Sequence, residues 1–204
     1  MSQAPNATVC NAPLPEALIL AGGLGTRLRS AVPDVPKVLA PIDDVPVIRY
    51  LLAWLVRQGV RRTVLCLGYK AEMVIAATGN QLGEMEIIHS IEPQPLGTGG
   101  AVRLAANHLQ GDRAIILNGD TFLGLSLRDM DAFFAETGRD GVMALIHASD
   151  IADRETVDID TSSRFRRFLA RGTGVAPGWI NAGCYILPVS YTHLRAHETE
   201  ATIS

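Results

Sequence analysis

The chain predicts an α/β fold: a mostly parallel central sheet with helices on both faces. Two observations carry this. Short apolar runs of strand length alternate with segments of helical period from about residue 16 to residue 148. The turns that follow two of the strand runs hold glycines or a carboxylate, which suits the ligand crevice beyond the carboxyl ends of parallel strands. Apolar residues make up 48% of the 204 residues, enough for a sizeable core.

Each element has its own justification. "ALILA" (17–21) reads as a buried strand. "VPVIRYLLAWLVRQG" (45–59) reads as a helix: Val47, Ile48, Leu51, Leu52, Leu55 and Val56 recur at helical spacing, and Gly59 can close it. "RTVLCLG" (62–68) is a second strand, followed by a short helix at about 70–78. "EIIHS" (86–90) is a third strand, residues 98–109 a helix, and "AIILN" (114–118) a fourth strand. "SLRDMDAFFAETG" (126–138) is a helix with Ser126 and Asp129 placed for a capping box and Gly138 at its end. "GVMALIHA" (141–148) and "INAGCYILP" (180–188) complete the strands.

Bulk properties exclude several classes. The net charge of −3 argues against nucleic acid as a partner. Cys10, Cys66 and Cys184 lie far apart, without zinc spacing, and Cys66 in "TVLCLGY" reads as a small core hydrophobe. "MSQAPNATVCNAP" has no basic or long apolar stretch, so no signal peptide is expected, and no run is long enough to span a membrane. The expected setting is cytoplasmic. Residues 1–15 are expected to form a flexible lead-in to one domain over 16–188.

Three turns carry chemistry. "LAGGLGTRLRS" (20–30) lacks the Gly-Lys-Ser/Thr of a Walker loop. Gly23, Gly25 and Asp43 nearly fit a dinucleotide fingerprint, but Leu28 holds the third glycine position. Pro33 and Pro36 also forbid the long helix that motif requires. The loop therefore reads as extended glycine backbone able to point N–H groups at a ligand. Arg27 supplies a bidentate phosphate donor and Lys37 a point charge. "ILNGDT" ends a strand with Asp120, which suits a Mg²⁺ ion that keeps its waters and substrate phosphates; the Asn-Gly pair suits a tight turn equally well. "EPQPLGTGGA" (92–101) approaches extended and then runs glycines into a helix start, where a flat ligand can lie on backbone.

Taken together, "LAGGLGTRLR", "PKVLAPI", "EPQPLGTGGA" and "LNGDT" resemble, in this order, the sugar-1-phosphate nucleotidyltransferases over about residues 16–187. "VPDVPKVLAPI", "RQGVRRTVLCLGYKAEMV" and "GTGGAV" look like the branch that guanylylates a heptose 1-phosphate. The resemblance implies a Rossmann-like nucleotidyltransferase fold with a mixed sheet. It also implies transfer from an NTP, here GTP, to a sugar 1-phosphate such as D-glycero-D-manno-heptose 1-phosphate, with Mg²⁺ as cofactor and pyrophosphate released. By the same resemblance Arg27, Lys37 and Asp120 are catalytic, with Asp120 the metal ligand. Leu20, Ala21, Gly22, Gly23, Gly25, Thr26, Glu92, Gly97 and Thr98 bind the nucleotide, and Asn181 and Gly183 face the sugar. The alternatives are an amino-sugar uridylyltransferase, a mannose-1-phosphate guanylyltransferase, and a nucleotide-binding regulatory module without chemistry.

Three departures bear on these expectations. Ala170-Arg171-Gly172 stands where the family usually has Glu-Lys-Pro, and Arg154-Glu155-Thr156 where relatives show Arg-Tyr-Gly. No later Asp-Ile-Gly-Thr-like segment offers a second magnesium aspartate. "VSYTHLRAHETEATIS" (189–204) has no period and resembles appended adaptor sequence, so native sequence is expected to stop near Pro188 and the fold to be C-terminally truncated. His193 and His197 are four apart but lack a third ligand and an anchoring apolar stripe, so no metal is expected there. With one carboxylate in place of two, feeble activity is expected.

Overall fold

A computed structural model describes residues 13–23, 35–151, 154–174 and 176–193. The strands are β1 (Glu16–Leu20), β2 (Pro41–Ile42), β3 (Val45–Pro46), β4 (Arg62–Leu67), β5 (Gln81–Leu82), β6 (Met85–Ile91), β7 (Arg113–Asn118), β8 (Val142–Ala148), β9 (Thr156–Ile159), β10 (Phe165–Leu169) and β11 (Gly178–Pro188). The helices are α1 (Val47–Gln58), α2 (Ala71–Thr78), α3 (Gly97–Ala106) and α4 (Leu127–Thr137). Among these residues one sheet runs β10-β9-β11-β7-β1-β4-β6-β5, with β8 also paired to β11. β1 pairs in parallel with β4 and β7, and β4 in parallel with β6. β11 pairs antiparallel with β7, β8 and β9, and β5 antiparallel with β6. The parallel strands are therefore the centre of the sheet, and both flanks are antiparallel.

Alternation along the strands sorts the core into two faces. Ala17, Ile19, Leu65, Leu67, Ile115 and Leu117 pack with Ile48, Leu51, Leu52 and Leu55 of α1, Val74 of α2, and Leu127 and Met130 of α4. Leu18, Val64, Cys66, Ala114 and Ile116 pack with Ala101, Val102 and Ala105 of α3. Helices thus cover both faces, three on one and α3 on the other.

Local chemistry explains the ends. α1 stops at Gly59, whose φ of +93° a side chain would resist and whose N–H reaches Leu55 O and Val56 O. At α4, Ser126 Oγ accepts from Asp129 N at 3.2 Å, as the capping pattern predicts. The predicted helix over 45–59 loses its first two residues to a hairpin. Asp43 and Asp44 both have positive φ, +48° and +63°, so β2 and β3 close through a turn in which Val45 joins a strand. β5, β9 and β10 are short pairings that no periodicity announces.

Leu14, in the expected flexible lead-in, is buried. Past β11 the chain continues as a 3-10 turn, Val189–His193, whose first N–H donates to Asp112 O at 2.8 Å. Packed structure therefore runs beyond Pro188. The rest of the expected foreign tail, including His197, lies outside the described residues. Among the described residues no helix is long and apolar enough to cross a membrane.

Candidate active site

Because β1, β4, β6 and β7 are parallel, their carboxyl ends share one edge, and the turns that leave them meet there. Backbone bonds stitch this edge together: Ala21 N donates to Cys66 O (3.0 Å), Glu92 N to Leu67 O (2.8 Å) and Gly119 N to Leu20 O (2.9 Å). The expected nucleotide-binding backbone, Leu20, Ala21, Gly22 and Gly23, thus leaves β1 between the ends of β4 and β7. The approach is too tight for side chains. A Cβ on Gly22 would lie 2.9 Å from Glu92 Oε1 and 3.1 Å from Gly68 N; one on Gly119 would lie 2.8 Å from Leu20 O. Gly68 and Gly119 were not among the expected site residues. Their signal was available, since each glycine directly follows a strand run.

Glu92 sits one residue past β6. Its Oε2 accepts from Leu96 N at 2.8 Å, while Oε1 faces Gly22. The carboxylate therefore joins the glycine turn to the loop entering α3. Gly97 opens that helix with φ +71°, and Gly97 and Thr98 are exposed at the same edge. Cys66 lies beneath. Burial, with the Glu92 charge nearby, pushes its thiol up to about 12, so it stays protonated and is no nucleophile.

Lys37 opens a 3-10 turn (Lys37–Leu39) held by Val38 and Leu39, which are buried. Its ammonium is ion-paired with the Asp120 carboxylate just past β7. Two residues expected to act together are thus in contact although distant in sequence. Asp120 also accepts from Thr121 Oγ1 at 3.3 Å. No group of three or more His, Cys, Asp or Glu that could hold a metal occurs among the described residues. A single half-exposed carboxylate fits a Mg²⁺ that arrives with phosphates and keeps its waters; it does not fit a protein-caged ion.

β11 brings the expected sugar-facing residues to β7. Its pairing with β8 skips between Asn181 and Tyr185, leaving a bulge. Gly183 lies in the bulge with φ +68°, and a Cβ there would be 2.9 Å from Asn118 Cγ. Asn181 Oδ1 accepts from Gly183 N at 2.9 Å, and Asn181 Nδ2 donates to Tyr185 OH. Burial raises the Tyr185 phenol, against a smaller opposing pull from that hydrogen bond. A hollow of about 350 Å³, lined by Val102, Met143, Leu145, Val157, Phe165 and Tyr185 among others, lies on the α3 face. It includes neither Lys37, Asp120 nor Glu92, so this apolar hollow and the polar edge are separate.

Gly25, Thr26 and Arg27 lie outside the described residues. Of the departures, Ala170-Arg171-Gly172 forms an exposed turn after β10, and Thr156 is buried at the start of β9.

Comparison with known proteins places this edge in context. The nucleotidyl transferase family model matches residues 16–202. The chain belongs to that family. It is 40% identical over 171 residues to D-glycero-alpha-D-manno-heptose 1-phosphate guanylyltransferase of Aneurinibacillus thermoaerophilus, covering 84% of this chain and 74% of that one. It is 32% identical over 173 residues to mannose-1-phosphate guanylyltransferase of Mycobacterium tuberculosis, covering 84% and 48%. The crystal structure of HddC from Yersinia pseudotuberculosis complexed with GMP-PN superposes with a TM-score of 0.78 at 32% identity, covering 91% of this chain and 81% of that one. The sheet with a parallel centre and helices on both faces is thus the nucleotidyltransferase fold.

Proposed function

We propose that the chain is a sugar-1-phosphate guanylyltransferase, joining GTP to a manno-configured heptose 1-phosphate to give a GDP-sugar and pyrophosphate. The observation that carries this reading is the Lys37–Asp120 pair at the mouth of the glycine edge. One cationic and one anionic group meet there, beside backbone N–H groups and the Asn118–Gly183 contact. The relatives that guanylylate heptose and mannose phosphates favour the base and the sugar class.

The chemistry follows from charge. A sugar-phosphate oxygen, ionised at neutral pH, attacks the α-phosphorus of GTP. The new P–O bond forms as the α–β bridging P–O bond breaks, and its electron pair leaves with pyrophosphate. No proton need move, so the residues position anions and offset their repulsion. In this reading Asp120 would hold Mg²⁺, which would supply neutralisation of phosphate charge. Lys37, which meets Asp120 at this edge, would grip the incoming sugar phosphate. Arg27 clamps the triphosphate. Residues 16–188 form the catalytic domain, acting in the cytoplasm.

Glu92 favours guanine over uracil. One oxygen is held by Leu96 N–H, and the other remains an acceptor beside Gly22, matched to the paired N1–H and N2–H₂ edge of guanine.

The test is pyrophosphate release by the chain with Mg²⁺, crossing GTP, UTP, CTP and ATP with heptose, mannose, glucose and N-acetylglucosamine 1-phosphates. Slow turnover confined to GTP with the heptose or mannose compound is expected. UTP with the amino sugar would replace this reading with the uridylyltransferase one; tight GTP binding without any turnover would make the chain a nucleotide-binding module.

A further inference from the structure

We infer that Tyr185 is a positioning residue that locks the amide of Asn181, so that this amide offers one donor and one acceptor in a fixed order to adjacent sugar hydroxyls. The inference rests on the reading above that Asn181 faces the sugar.

An asparagine amide has two N–H donors and two acceptor lone pairs. At Asn181 one acceptor is taken by Gly183 N–H at 2.9 Å and one donor by Tyr185 OH. The reverse orientation would set the NH₂ against the Gly183 N–H, donor against donor, so only one orientation satisfies both contacts. One N–H and one lone pair remain. A pair of neighbouring hydroxyls, each both donor and acceptor, can meet them side by side. A fixed amide loses no rotational freedom on binding, which favours affinity.

The anchors are themselves fixed. Gly183 takes φ +68° in the bulge between Asn181 and Tyr185, where β11 and β8 lose register. Asn118 stands over Gly183, so closely that a Cβ would be 2.9 Å from Asn118 Cγ. Asn118 ends β7, and Asp120 follows two residues later. On the other side Tyr185 pairs with Ile116 of β7 and Met143 of β8, and its ring packs against the α3-face core. The phenol hydroxyl is thus presented from a rigid part of the sheet, and the distance between the sugar amide and the Asp120 turn is set by backbone.

The experiment compares the parent chain with Tyr185→Phe, Asn181→Ala and the double variant. The probes are heptose 1-phosphate and mannose 1-phosphate, titrated in the presence of Mg²⁺ and a non-hydrolysable GTP analogue. Tyr185→Phe keeps the ring in the core and removes only the hydroxyl. Loss of one hydrogen bond that fixes the amide should weaken sugar-phosphate binding about 10-fold and leave affinity for the GTP analogue unchanged. In the Asn181→Ala background the same change should have no further effect, because there is no amide to orient. A side-chain amide resonance of Asn181, assigned by its loss in Asn181→Ala, should shift in Tyr185→Phe without any substrate. If Asn181→Ala weakens binding and Tyr185→Phe does not, the positioning role is overturned while the site reading stands. Equal losses for sugar phosphate and GTP analogue in Tyr185→Phe, or additive losses in the double variant, would also overturn it. If Asn181→Ala binds normally, or the parent binds no sugar phosphate, the reading of the sugar side fails and the inference falls with it.

Discussion

At the residue scale, two side chains make the sharpest predictions. Glu92→Gln can keep its bond from Leu96 N–H through the amide oxygen, which then puts NH₂ where Oε1 now faces Gly22. That sets a donor against the donors of guanine. Preference for GTP over UTP should fall about 10-fold or more, read as the ratio of kcat/KM values. An unchanged ratio would remove Glu92 from base selection. Asp120→Asn removes the carboxylate that Lys37 meets, and with it the proposed metal ligand. Metal-dependent turnover should drop on the order of 10²-fold or more. Thermal stability should hardly change, because the ion pair is exposed to solvent and such pairs contribute little. A large fall in melting temperature with turnover retained would show that Asp120 braces the fold. Asp120 was singled out in the sequence as a carboxylate two residues past a strand run, whereas Glu92 was named only through the family resemblance. Gly68 and Gly119 could have been singled out as glycines directly after strand runs, whereas the contact of Tyr185 with Asn181 depends on the bulge in β11.

At the element scale, the outer edge of the sheet carries a pH response. Thr78 Oγ1 donates to Val74 O at 2.9 Å, so its contact with His89 Nε2 at 3.2 Å makes the histidine the donor there. This ties β6 to the end of α2. Burial lowers the His89 pKa from its ordinary value near 6.5, so the folded chain favours neutral imidazole. A depressed folded value means the unfolded chain binds the proton first. Stability is therefore full above the unfolded pKa and is lost as pH falls through about 6.5 toward the lower folded value. The urea midpoint should decline between pH 7.5 and pH 5.5, and the slope in that window should flatten in His89→Gln. The same slope in both proteins would clear His89 of the effect. The elements themselves divide by the range of their causes. α1, α2, α3 and α4 were legible within a few residues because period, glycine ends and the Ser126 cap are local. The start of α1 was misread because Asp43 and Asp44 adopt positive φ and draw Val45 into a hairpin.

At the scale of the whole molecule, the edge opposite the site is held by charge. Glu16 Oε1 accepts from Arg62 Nη1 at 2.8 Å, and Oε2 accepts from Gln110 N and Gly111 N at 2.6 and 2.9 Å. Arg62 also reaches His108 O at 2.6 Å and Glu86 Oε2 at 2.9 Å. Both Glu16 and Arg62 are mostly buried, with side chains 13% and 17% exposed. One carboxylate thus joins the amino ends of β1 and β4 to the connection between α3 and β7. Glu16→Ala leaves a guanidinium and two backbone N–H groups short of an acceptor and should cost about 2–4 kcal/mol. Chemical denaturation checks the size, and nucleotide affinity should stay unchanged because the carboxyl ends of the strands are not touched. A loss below about 0.5 kcal/mol would mean that water replaces the carboxylate without difficulty.

The sequence by itself determined the alternation of strands and helices, the two-faced apolar pattern of the central strands, and the turns suited to phosphate. These follow from residue period, caps, prolines and glycines, which act over a few neighbours. Only the tertiary structure decided the order of the strands, the antiparallel flanks with β5, β9 and β10, and the bulge that sets Gly183 against Asn118. It alone brought Lys37 onto Asp120 and gave Glu92 a backbone partner in Leu96. Such contacts depend on which strands lie side by side. That choice is made by burying both faces of the sheet at once, which no local stretch of the chain records.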